Sequence, residues 1–129
     1  DYQQLKVIMR LARDLDIETK IVGVPTLRED DGLAMSSRNL YLSTEERAQA
    51  PQLHAVLQNC AAALRDGADV KAEQAKAHAA LEAAGFRVDY IEARHAETLA
   101  PVETLADGPI RLLVAARLGT TRLIDNIAV

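Results

Sequence analysis

The chain is divided by residues 23–41, GVPTLREDDGLAMSSRNLY. This stretch is polar, rich in turn formers, and longer than an ordinary connection, which takes about 4–6 residues; longer irregular segments tend to carry function or to lack order. A β-branched run precedes it and a helix start follows, so the two sides read as unlike pieces with a boundary at Pro25. Inside it, Ser36, Ser37, Arg38 and Asn39 lie shortly after Gly32 and Leu33. Two readings are open. Hydroxyls, a planar guanidinium fork and loop N–H groups can gather around phosphate oxygens. Alternatively, Asp30-Asp31-Gly32 turns the chain and Ser-Ser-Arg-Asn faces water, as polar surface loops do.

On the N-terminal side, Leu5, Ile8, Met9, Ala12 and Leu15 recur at helical spacing, so residues 3–16 are expected to form an amphipathic helix. Asp1 stands where a carboxylate can cap that helix, and Gln4 reads as a first-turn polar residue. Thr19–Val24 reads as a short strand ending at Pro25. A mostly apolar strand wants parallel neighbours on both sides, and no repeating strand–helix pattern here supplies them. Residues 1–24 are therefore expected to be the tail of a larger parallel-sheet domain, and residues 25–129 a second one. Such a tail would expose apolar surface and a free strand edge, predicting self-association, a displaced N-terminal helix, or both.

On the C-terminal side, Ser43-Thr44-Glu45-Glu46 has the capping-box spacing, and Pro51 should end or kink the turn it opens and restart a helix. Leu53, Val56, Leu57, Cys60, Ala61 and Leu64 make an apolar stripe stopped by Gly67, and Asp69 can cap a helix over 70–84 closed by Gly85. Residues 86–94 read as a strand with Phe86, Val88 and Tyr90 on one face. After the Asp107-Gly108-Pro109 turn, Ile110, Leu112, Val114 and Ala116 alternate on a second strand. Gly119-Thr120-Thr121 then turns into a third, with Leu123, Asp125 and Ile127 on one face. The expected class is α+β: helices packed on a short, mainly antiparallel three-stranded sheet.

Composition narrows the function. Net charge is −4 with no basic block, and aromatics are 3% with no Trp, which argues against nucleic acid or an anionic membrane as partner. Cys60 is the only cysteine, so no intramolecular disulfide can form, which fits a cytoplasmic setting. Its place on the apolar stripe predicts a buried, inert thiol. His54 and His78 read as helix-flank residues. No His, Cys, Asp or Glu has metal-ligand spacing, and there is no Walker loop or GxGxxG. Any chemistry falls to the loop and to residues flanking the strand before it.

The opening DYQQL, the run VGVPTLREDDGLAMSSRNLYL and the closing LLVAARLGTTRLIDNIAV resemble, over essentially the whole chain, the C-terminal part of the bacterial pantoate–β-alanine ligase family. Met35-Ser36-Ser37-Arg38 is similar to the KMSKS-type loop, here 32–39, that nucleotidylyl transferases close over ATP. The resemblance implies a Rossmann-like domain whose last helix and strand are residues 1–24, followed by a C-terminal lid over 25–129. It implies ATP, (R)-pantoate and β-alanine as substrates, magnesium, and a pantoyl adenylate intermediate. It also implies pantothenate, AMP and pyrophosphate as products, and a homodimer formed through the family's N-terminal domain. By resemblance, Ser36, Ser37 and Arg38 bind the phosphates and carry catalysis, Leu27 and Met35 lie near the adenine, Asp1 meets the ribose, and Gln4 holds pantoate. The family's HxGH-type motif, its other pantoate-binding glutamine and the Gly-Glu-Lys before Asp1 do not occur in this sequence, so these residues alone are expected to be inactive. A non-catalytic interaction domain reusing the same fold is the alternative.

Overall fold

The apolar stripes of the chain's second half meet across a three-stranded sheet. The computed structural model describes residues 1–129. In chain order it contains helix α1 (Tyr2–Asp14), a 3₁₀ turn (Ser37–Tyr41), helices α2 (Thr44–Gln49), α3 (Gln52–Arg65) and α4 (Val70–Ala83), and strand β1 (Arg87–His95). A second 3₁₀ turn (Leu105–Asp107) and strands β2 (Ile110–Leu118) and β3 (Thr121–Ala128) follow. The sheet order is β1-β2-β3, antiparallel throughout. The expected α+β class with helices on an antiparallel sheet is the fold observed.

Local chemistry sets the helix boundaries. Asp1 caps α1, accepting from the Gln4 N–H at 3.1 Å. Ser43 and Glu46 form the reciprocal capping box of α2, and the Asp69 side chain accepts from the Ala72 N–H. α1, α3 and α4 close with the same kind of backbone bond, in which the second residue past the cap reaches back five positions: Ile17 to Ala12, Ala68 to Ala63, and Phe86 to Leu81.

The core lies between α3, α4 and the inner face of the sheet. Leu53, Leu57, Leu64, Leu81, Leu112 and Val114 are among its largest fully buried side chains. The β2 and β3 faces are those expected. β1 is different, because a register shift between Val88 and Tyr90 inserts Asp89 as an extra residue. Beyond this bulge the buried positions become Ile91 and Ala93, so Tyr90 does not share the inner face with Phe86 and Val88. A bulge reverses side-chain alternation downstream of it, and period-two reading has no means of seeing that. Tyr90 instead donates from its hydroxyl to Gln3 Oε1 at 3.1 Å.

That bond is part of how α1 docks on the outer face of the sheet. The Tyr2 ring stacks over the Arg111 guanidinium at 4.3 Å, its hydroxyl donates to the Ala96 carbonyl at 2.7 Å, and Lys6 Nζ donates to Glu97 Oε2 at 2.8 Å. The helix is docked, so of the two expected outcomes, self-association or a displaced helix, the second is not seen; its first turns carry polar anchors. Its apolar stripe is another matter: only Ala12 is buried, while Ile8, Met9 and Leu15 are exposed. The strand expected at Thr19–Val24 is unpaired. A strand's hydrogen bonds are made to neighbours, and none of β1, β2 and β3 pairs with this segment. Val22 and Val24 stay exposed, and Gly23 lies against Leu5.

Cys60 is buried in the core. Burial, reinforced by the Glu73 carboxylate, pushes its thiol up from 9.0 to about 11. The unfolded chain therefore ionises this thiol first. Its contribution to stability is intact below pH 9.0 and is lost as pH rises toward about 11. Urea unfolding should show an alkaline loss on the order of 1–3 kcal/mol smaller in Cys60→Ala than in the wild type, and iodoacetamide should label Cys60 only as the protein unfolds.

Candidate functional site

The polar stretch is folded, not irregular. Its first half is a small hairpin: Arg28 bridges Ala34, the Met35 N–H donates to the Leu27 carbonyl at 2.9 Å, and the Glu29 N–H donates to the Leu33 carbonyl at 2.8 Å. The expected turn at Asp30-Asp31-Gly32 closes it, with the Gly32 N–H donating to the Glu29 carbonyl at 2.9 Å and Asp31 Oδ1 accepting from the Leu33 N–H at 3.2 Å. Gly32 has φ +90°, and a Cβ there would lie 3.1 Å from His54 Cδ2, so both backbone and space call for glycine. Ser36 is extended and caps the 3₁₀ turn, its hydroxyl accepting from the Arg38 N–H at 3.2 Å. Asn39 Nδ2 donates back to the Ala34 carbonyl at 3.1 Å, tying the turn to the hairpin.

The hairpin is held to the domain by one buried carboxylate. Arg28 reaches Asp125 with both arms of its guanidinium: Nη1 to Oδ2 at 2.8 Å and Nη2 to Oδ1 at 2.9 Å. His54 Nδ1 lies 3.1 Å from Oδ2, and Arg28 Nη1 also donates to the Gly32 carbonyl at 3.0 Å. The Asp125 side chain is 2% exposed and that of Arg28 22%. His54 is thus a partner of Asp125, not the plain helix-flank residue expected. The signal was present in the sequence: an aspartate alternating with Leu123 and Ile127 on a core face needs a partner. What the sequence does not say is that the partners come from position 28 and from α3.

Beside the hairpin runs a cleft of about 160 Å³. The first turn of α1 and the loop form its walls, and β3 its floor. Asp1, Met35, Ser36 and Arg38 line it together, joined by Asn39, Arg122, Ile124 and Asn126. Four of the residues named from sequence thus meet in one place. Leu27 stands across the hairpin from Met35, and both side chains are exposed, at 70% and 53%. Ser37 opens the 3₁₀ turn and is exposed outside the cleft wall. Gln4 is exposed on the first turn of α1 and does not line the cleft.

The wall sets hydrogen-bond donors beside the carboxylates of Asp1 and Asp125. The Arg38 guanidinium makes no ion pair or hydrogen bond, although the chain's other arginines mostly do. Ser36 lines the cleft with it, and the buried Asn39 Oδ1 has no hydrogen-bond partner. A pocket that encloses a small-molecule ligand spans roughly 300–1,000 Å³. This cleft, at about 160 Å³, is smaller than that. Arg122 and Asn126 were not expected from the sequence as parts of it.

The sequence profile of the pantoate-beta-alanine ligase family matches residues 1–128. The chain is 61% identical over 129 residues to the pantothenate synthetase of Nitrobacter hamburgensis and 60% identical over 129 residues to that of Rhodopseudomonas palustris strain BisA53. In both comparisons it is covered in full and spans 46% of the relative, about half the length of the curated relatives it matches. Its fold is similar to the crystal structure of pantothenate synthetase from Thermus thermophilus, with TM-score 0.91 and 44% identity, over 98% of this chain and 46% of that one. It is also similar to pantoate-beta-alanine ligase from Francisella tularensis complexed with beta-gamma ATP and beta-alanine, with TM-score 0.66 and 28% identity, over 99% of this chain and 40% of that one.

Removing one partner of a buried ion pair strands the other and costs about 3–5 kcal/mol. Asp125→Ala should approach the lower end of that range in urea unfolding, because Arg28 is partly solvated. The joint replacement of Arg28 and Asp125 by Met and Leu should cost less than either single alanine variant. Single-variant losses as small as those of surface substitutions would show that the pair does not hold the hairpin.

Proposed function

The chain belongs to the pantoate–β-alanine ligase family, and on that premise we propose that it is the part of such an enzyme that closes over ATP. In this reading residues 1–24 end a Rossmann-like domain and residues 25–129 form the lid. A pantoate carboxylate oxygen attacks the α-phosphorus of ATP, and pyrophosphate leaves. The β-alanine amine then attacks the acyl carbon of the pantoyl adenylate, AMP leaves, the amine loses its proton, and pantothenate is formed. The same reading carries a cytoplasmic setting and a homodimer made through a portion of the enzyme outside these 129 residues.

Each role rests on what the side chain can do where it stands. Arg38, with Ser36 and Ser37, supplies donors to the phosphates as charge moves onto the departing pyrophosphate. Leu27 and Met35 offer an exposed apolar pair to the adenine. Asp1 meets the ribose and Gln4 the pantoate. The protein contributes positioning and charge stabilisation, not a covalent step. In this reading magnesium comes bound to the phosphates of ATP, the usual way a nucleotide carries it. The observation that carries the reading is the unpaired Arg38 guanidinium in a cleft with Asp1, Met35 and Ser36, on the 3₁₀ turn that follows a hairpin held by a buried ion pair.

In the full-length enzyme, Arg38→Ala should lower the rate of adenylate formation by about 10²–10³-fold, as loss of one charged donor to a developing anion does, measured by pyrophosphate release. Undiminished pantothenate synthesis would favour the non-catalytic interaction domain. The 129 residues by themselves should release no AMP from ATP, pantoate and β-alanine; clear turnover would overturn the division of labour proposed here.

A further inference from the structure

Three arginines stand side by side on the outer face of the sheet. Arg87 of β1 is paired with Arg117 of β2, and Arg117 with Arg122 of β3. Like charges directly opposite one another across strands destabilise a sheet. One carboxylate answers them. Asp89, the extra residue of the β1 bulge, accepts from Arg122 Nε at 2.7 Å and lies 3.9 Å from Arg117 Nε. The Arg122 hydrogen bond above all, with the charges of Arg117 and Arg87, holds the Asp89 carboxyl below its usual range. Arg38 extends the cluster toward the loop.

Three of these arginines face an open hollow lined by Arg38, Tyr41, Arg117, Thr120, Thr121 and Arg122. The turn joining β2 to β3 supplies its threonines. Gly119 in that turn packs against the Glu46 carboxylate, which is itself engaged by the Ser43 N–H in the α2 capping box. The hollow shares Arg38 and Arg122 with the cleft beside the hairpin, so an elongated anion could lie across both. Tyr41 and the two threonine hydroxyls add neutral donors to the guanidinium forks, a combination suited to phosphate oxygens.

We propose that the Arg117–Arg122 end of this row is a polyphosphate-anion site that receives the far phosphates of the nucleotide and holds pyrophosphate once it is formed. This rests on the nucleotide reading above and adds to it a second set of phosphate ligands, from the sheet, facing the loop. Cross-strand repulsion is the cost that the bound anion offsets, and Asp89 is the internal stand-in that competes with it.

The test is calorimetric titration of the full-length enzyme with inorganic pyrophosphate, ATP and AMP. Arg117→Gln and Arg122→Gln should each weaken pyrophosphate and ATP about 10–100-fold, the range for one charge-assisted hydrogen bond, and leave AMP unchanged. Asp89→Asn should tighten pyrophosphate. Arg117→Gln should also raise the melting temperature while it weakens pyrophosphate, a pairing that a purely structural role does not produce. The proposal is overturned if both arginine variants bind pyrophosphate like the wild type, or if AMP weakens as much as pyrophosphate. Arg38→Ala separates the two readings. If it weakens ATP while the sheet variants leave pyrophosphate binding intact, only the arginine row fails; if it leaves ATP binding intact, the nucleotide reading itself fails.

Discussion

The bidentate pair between Arg28 and Asp125 is the constraint on which the site depends. Asp125 points inward from β3 among apolar neighbours, where an unpaired carboxylate would be costly. Arg28 satisfies both its oxygens and at the same time donates to the Gly32 carbonyl. One side chain thus fastens the base and the tip of the hairpin to the sheet. His54 closes the third side, and the glycine at position 32 is what lets the tip approach it. Together with Leu33, which is buried in the core, and the Asp31–Arg47 pair, this anchor gives Met35, Ser36 and Arg38 a defined relation to the rest of the domain.

Anchoring explains how a loop can present free donors. Ser36 and Asn39 spend part of their hydrogen-bonding capacity on the backbone of the loop, which orders the segment, while the Arg38 side chain is left uncommitted. A pre-ordered donor set loses less entropy on meeting an anion than a mobile one. The neighbouring arginines of the sheet follow a related logic. Repulsion within the row is built into the strand register, and it is eased by a residue that only the bulge brings to that face.

The outer face of the sheet has two regimes. Toward its Arg111 end, α1 covers it through Tyr2, Gln3 and Lys6, contacts that are polar or cation–π in character. Toward its Arg117 end it is open and cationic. The bulge in β1 separates them: it turns Tyr90 outward to meet Gln3 and sets Asp89 beside Arg122. α1 meanwhile keeps Ile8, Met9 and Leu15 in solvent, so its apolar stripe does not contribute to the core between α3, α4 and the sheet.

What the sequence determined by itself is local. Capping residues at Asp1, Ser43 and Asp69, glycine stops at 67 and 85, the alternation of β2 and β3, and the hydroxyl–guanidinium composition of the loop all act over a few residues, so spacing suffices to read them. Tertiary structure decided the rest, because it depends on which distant positions meet. Asp125 finds Arg28 across 97 residues, and the Asp89 bulge reverses the faces of β1. Thr19–Val24 stays unpaired, since pairing depends on a neighbour and not on the segment's own residues. Arg87, Arg117 and Arg122 form a row only once the register is set. Periodicity names the face of a strand; only the assembled sheet says what that face confronts.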